Sequence, residues 1–155
     1  MMSTPQKIHN APENWNQFFY MYSRMEYALK ASQYLQGGKE AKASWEKLAS
    51  KANAVAVYDA IRLNELTEML FREPPRKQII IDRSLGWQTR GDEITDLKTL
   101  FRAVGTIRNN LFHGGKNVNN PDRARDNELI RAGIAVMEDL LELDPKLKEN
   151  FCSVY

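Results

Sequence analysis

Arg108-Asn109-Asn110-Leu111-Phe112-His113, followed at once by Gly114-Gly115, brings a permanent cation, an amide and an imidazole into one short segment. A guanidinium matches phosphate oxygens in pairs, and an imidazole exchanges a proton near neutral pH. Together they suit work on a phosphodiester.

Counted at about 100° per residue on a helix, Arg108 falls near the middle of the apolar stripe drawn by Leu97, Leu100, Phe101 and Val104. An unpaired guanidinium in a core costs several kcal/mol, so the position calls for a carboxylate, a polar crevice or an anionic ligand. Glu26, at the edge of the first helix's apolar face, is the first candidate partner, and a plain Arg108–Glu26 bridge joining two helices is the structural alternative. His113 lies about 140° around the same helix from Arg108, too far to share a site while the coil continues. Gly114-Gly115 is expected to end the helix near Phe112, freeing the imidazole to turn towards Arg108. The carbonyl end of a helix also favours the imidazolium form. The alternative is that His113 merely caps the last carbonyls. Asn109 either ends the helix or turns its amide to a phosphate oxygen or to the imidazole. Asn110 is read as a supporting residue or another helix-ending one.

The elements that must position these groups read as helices. One runs from about Ala11 to Gln36, with Pro12 and Glu13 in its first turn, Phe18, Tyr22, Met25 and Leu29 on its apolar face and Gly37-Gly38 ending it. Tyr20, Tyr27 and Tyr34 recur every seven residues on its other side, either packing within the chain or meeting a second copy. Further helices are expected over Ala41–Ala52, around Trp45 and Leu48, and over Ala54–Arg72, ended by Pro74-Pro75. Arg76–Gly91 fits neither periodicity and is a short extended segment or an ordered loop. Asp92 or Thr95 starts the helix that carries the motif. Asn120-Pro121-Asp122 starts the last long one, through Leu143, before Asp144-Pro145 and a short tail helix. The expected fold is all-α, an antiparallel bundle of four to five helices, with residues 1–10 as a flexible leader and 11–155 as a single domain.

At 155 residues and 43% hydrophobic, the chain can bury a core without staples. A net charge of +2 permits nucleic-acid binding through a local patch without announcing it. The single cysteine, Cys152, forms no internal disulfide; with no signal-like start and no membrane-length apolar run, the expected location is cytoplasmic. No residue set has metal-site spacing, and Trp15, Trp45 and Trp87 read as core or interface anchors.

Arg108-Asn109, with four residues between the arginine and His113 near the end of a long helix, resembles the motif of the HEPN superfamily, small helical bundles that dimerise. Many members are metal-independent endoribonucleases in which motifs from two protomers face one cleft. The resemblance implies that His113 transfers protons, that Arg108 holds the scissile phosphate and that Asn109 supports both; Glu26 and Asn110 stand beside them as supporting candidates on the reading of the residues alone. It implies RNA as substrate, no cofactor, a homodimer, a toxin or phage-defence role and an antitoxin or regulatory partner. One toxin subgroup has a tyrosine two positions after the histidine; here that position is Gly115, so its mode of regulation does not carry over. Lys116, Arg123 and Arg125 flank the motif as candidate contacts to the RNA backbone. Arg76, Lys77, Arg83 and Arg90 either add to that binding or belong to a solvated charged loop. Two rivals remain: a non-catalytic HEPN-like module that binds nucleotide or RNA or organises a dimer, and a helical interaction protein using the tyrosine row.

Overall fold

The computed structural model describes residues 13–112 and 123–153. Among these, seven α-helices and one hairpin follow in order: α1 (Glu13–Ala31), α2 (Trp45–Ala49), α3 (Ala54–Leu63), α4 (Glu68–Arg72), β1 (Gln78–Ile81), β2 (Ser84–Trp87), α5 (Leu97–Phe112), α6 (Arg123–Leu140) and α7 (Pro145–Cys152). The helical expectation holds in its coarse form, but the described helices outnumber the four or five expected, and the hairpin departs from an all-α fold.

The centre is α6, in which Leu129, Ile130, Ala132, Val136, Met137 and Leu140 are buried. It packs against α1, α4 and α5, and α1 also lies along α7. Burial on so many sides requires close approach. A Cβ added to Gly133 would sit 2.8 Å from Cε2 of Phe18, so only glycine lets α1 come this near.

Several boundaries differ from expectation for local reasons, and the expected Ala41–Ala52 helix shortens to Trp45–Ala49, begun by Ser44, whose Oγ accepts from Lys47 N–H at 3.3 Å. α1 stops at Ala31, short of Gly37-Gly38, because Gln33 turns left-handed (φ 68°) and Tyr34 N–H closes back on the Leu29 carbonyl at 2.9 Å. The expected Ala54–Arg72 helix breaks at Asn64, whose extended backbone leaves the coil while its side chain accepts from Leu66 N–H at 3.0 Å and starts a 3₁₀ turn, Glu65–Thr67. The motif helix is capped by Asp96 and not by Asp92 or Thr95: Asp96 Oδ1 accepts from Thr99 N–H at 2.8 Å, and Thr99 Oγ1 accepts from Asp96 N–H at 3.1 Å.

At the C-terminal end, α6 gives way to a 3₁₀ turn at Leu141–Leu143, and Asp144-Pro145 then starts the expected tail helix. Asp144 caps α7 by accepting from Lys146 N–H at 2.9 Å. Residues 1–12 and 113–122, and with them the expected leader, the start at Asn120-Pro121-Asp122, His113, Lys116 and the Gly114-Gly115 pair, lie outside the described residues, as does the side chain of Arg123.

Arg76–Gly91 takes the extended alternative. β1 and β2 pair antiparallel, with Ile79 opposite Gly86 and Ile80 opposite Leu85. Asp82 and Arg83 close the turn, both left-handed at φ 49° and 65°, the backbone of a two-residue hairpin turn. At the hairpin's base Lys77 Nζ meets Asp92 Oδ2 at 2.7 Å.

Candidate functional site

α5 buries Ala103, Thr106 and Ile107 as well as Leu97, Leu100, Phe101, Val104 and Leu111. The buried arc is therefore centred on Leu100 and Leu111, and Arg108 falls towards its margin, half-buried, not in its middle. The guanidinium reaches the surface, with Cζ 4.9 Å from the ring centroid of Phe112, itself 66% exposed. Its Nη1 donates to Asn109 Oδ1 at 3.0 Å. Because a guanidinium only donates, the amide oxygen must face it and the Asn109 NH₂ is turned away. Arg108 and Asn109 thus offer N–H donors side by side on an exposed stretch of helix.

No ion pair joins Arg108 to Glu26 or to any other carboxylate among the described residues, so the structural alternative of an Arg108–Glu26 bridge is not formed. Glu26 Oε1 instead accepts from Trp45 Nε1 at 3.0 Å. Tyr22 feels both charges. Burial pushes its hydroxyl up to about 12, the neighbouring Glu26 carboxylate adds to the rise, and the Arg108 guanidinium opposes it. Tyr22 therefore keeps its hydroxyl neutral throughout the physiological range. Phe18, Tyr22, Trp45 and Phe101 form a run of ring contacts with centroids 6.0, 5.4 and 5.3 Å apart, which fixes Tyr22 and Trp45 against α5.

Asn110 turns the other way. Its Nδ2 donates to the Arg76 carbonyl at 2.9 Å and ties α5 to the link between α4 and β1. Beside this bond lies a pocket of about 660 Å³, with Lys77, Gln78, Asn109 and Asn110 among its lining residues.

Of the expected RNA-contacting residues, Arg125 is described. Its Nη2 donates to the Glu73 and Pro74 carbonyls at 3.3 and 3.2 Å. The tyrosine row is broken: Tyr20 is 66% exposed, Tyr27 lies under the Arg24 guanidinium at 4.9 Å, and Tyr34, beyond the end of α1, donates to Asp144 Oδ2 at 2.6 Å. Sequence reasoning passed over Arg24 as well. It donates to the carbonyls of Asn150, Phe151 and Ser153 at 3.1, 2.8 and 2.9 Å, clasping α7 to α1. Its place on the half-buried flank of α1, one residue from Met25, was the available signal.

No protein-family model, curated protein or solved structure matches this chain. Among the described residues no cluster of histidine, cysteine and carboxylates could hold a metal ion, and no helix is long and apolar enough to cross a membrane.

Proposed function

We propose that this chain is a HEPN-type, metal-independent endoribonuclease of the toxin or defence kind, acting in the cytoplasm. The single observation that carries the reading is the paired donor set of Arg108 and Asn109 at the end of α5, with no carboxylate in ion-pair range among the described residues and His113 next along the chain.

In the proposed reaction the RNA 2′-oxygen attacks phosphorus and a new 2′-O–P bond forms while the bond to the departing 5′-oxygen breaks. The proton of the 2′-hydroxyl passes to a base and the 5′-oxygen receives one. The products are a 2′,3′-cyclic phosphate and a 5′-hydroxyl. Arg108 neutralises the charge gathering on the phosphate, Asn109 adds a donor beside it, and His113 moves the proton. A second imidazole comes from another copy of the chain, so the acting species is a homodimer. Exposed Tyr20 and Phe112 support such a contact. Glu26 acts through Tyr22 and Trp45 to shape the ground on which Arg108 sits, and an antitoxin or other regulatory protein restrains the enzyme.

The test is incubation of purified protein with mixed RNA in a chelator, beside His113→Ala and Arg108→Ala. The expected result is cleavage by the wild type alone, leaving cyclic phosphate ends. Equal survival of RNA with all three proteins, or equal cleavage by them, ends the nuclease reading; RNA binding without cleavage favours the non-catalytic module.

A further inference from the structure

An open cleft of about 790 Å³ is lined by Arg72, Arg76, Arg90 and Arg125, with Glu73 the one carboxylate among the described lining residues. Its walls come from the end of α4, the link into β1, the link from β2 to α5 and the first turn of α6. These segments are packed, not merely adjacent. A Cβ on Gly91 would lie 2.3 Å from the Pro74 carbonyl oxygen, so the two links touch backbone to backbone.

Arg125 has only 18% of its side chain exposed and is held by the Glu73 and Pro74 carbonyls, with Nε 3.5 Å from Glu73 Oε2. It therefore matches Glu73, the one acidic group among the described lining residues. Arg72 pairs with Glu68 at 3.2 Å, an exposed helical pair that holds it only weakly. Among the described residues no hydrogen bond or ion pair engages the Arg90 side chain, so Arg90 and the weakly held Arg72 are the guanidinium groups the cleft offers to an anion.

We infer that this cleft binds the sugar-phosphate backbone of single-stranded RNA, an assignment whose choice of polymer rests on the nuclease reading above. Arginine forks match phosphate oxygens in pairs, and no aromatic side chain is among the described lining residues to stack a base, so the contact is to backbone and indifferent to sequence. A polymer fits better than a mononucleotide because the cleft adjoins the motif. Arg76 lines the cleft, its carbonyl is held by Asn110, and Asn110 lines the next pocket together with Asn109. A strand with one phosphate at Arg108 and Asn109 has further cations to follow.

The test measures anisotropy of a short fluorescein-labelled 2′-O-methyl RNA, which cannot be cut by 2′-hydroxyl attack, with the full chain across a salt series in a chelator. Arg72→Ala and Arg90→Ala alter exposed side chains, and thermal unfolding checks that each variant still folds. Each is expected to weaken binding about fivefold near ~0.1 M salt and to lower the slope of log affinity against log salt by about 0.7, the loss of one phosphate contact. Arg83→Ala, at the hairpin tip, is expected to change neither. The inference is overturned if the wild type does not bind, if both cleft variants bind as it does, or if a nucleoside triphosphate binds the cleft more tightly than the RNA. Cleavage of ordinary RNA is scored separately. Binding through the cleft without cleavage sinks only the nuclease, whereas cleavage with unaltered binding in the cleft variants sinks only the cleft.

Discussion

The side-chain amide of Asn110 donates to the backbone carbonyl of Arg76 at 2.9 Å, so the helix that carries the motif also holds the link that carries the arginine cleft. Asn110→Ala removes one partly buried bond and is expected to cost about 1 kcal/mol by denaturant unfolding. Hydrogen exchange should quicken in the link between α4 and β1 while α6 keeps its protection. Unchanged exchange there would show that packing alone holds the link.

Arg108→Ala should lower RNA cleavage by about two to three powers of ten, the usual loss when one donor to a developing oxyanion is removed. Arg108→Lys keeps the charge but not the planar fork, one nitrogen of which reaches Asn109 and which on the proposed reading also holds the phosphate, and should recover only part of the rate. Single-turnover cleavage assays decide, and full activity in the lysine variant would show that charge alone suffices.

Tyr22 ionises near 12 in the fold against 10.0 for a free tyrosine, chiefly because it is buried. A raised value means that the contribution to stability is complete below pH 10 and is lost as pH climbs through about 12. The difference between wild-type and Tyr22→Phe phenolate absorbance should therefore rise near pH 12, and a rise near 10 would place Tyr22 in water.

Asp144 accepts from Tyr34 and from Lys146 N–H, and the Tyr34 hydrogen bond, ahead of the cap, holds its carboxyl below the usual 3.8. The stabilisation is present above that value and fades as pH falls through the lowered one. Asp144→Ala removes the α7 cap and should cost about 1 kcal/mol at pH 7. Thermal unfolding at pH 7 and at pH 2 should show the penalty shrinking in acid; a constant penalty would mean the carboxylate charge is irrelevant.

Gly133→Ala pushes a methyl group to 2.8 Å from the Phe18 ring, and overpacking of this kind typically costs about 1–3 kcal/mol. A variant as stable as the wild type in denaturant would show that α1 can move aside.

Local signals in the chain were enough for much of this. The apolar spacing of Phe18, Met25 and Leu29 and of Leu97, Leu100, Phe101 and Val104 marked the inner faces of α1 and α5, and Asp144-Pro145 marked the start of α7. The hairpin turn was harder to read because its two left-handed positions are Asp82 and Arg83, without the glycine that normally announces them. The end of α1 was misplaced for a similar reason, since Gln33 takes the left-handed cap four residues before the first glycine of the pair.

The amino-acid order by itself determined a mainly helical chain and the set of groups at Arg108, Asn109 and His113, because periodicity and residue chemistry are local properties. Tertiary packing alone decided their surroundings. Whether Arg108 is bridged depends on where α1 delivers Glu26, and there Trp45 takes the carboxylate. Arg72, Arg76, Arg90 and Arg125 are scattered over more than fifty positions, and only the meeting of two links with the start of α6 gathers them around one cleft. Coulomb forces act through space, so the chain could single out Arg76, Arg90 and Arg125 as candidate contacts but not their meeting with Arg72 around one cleft.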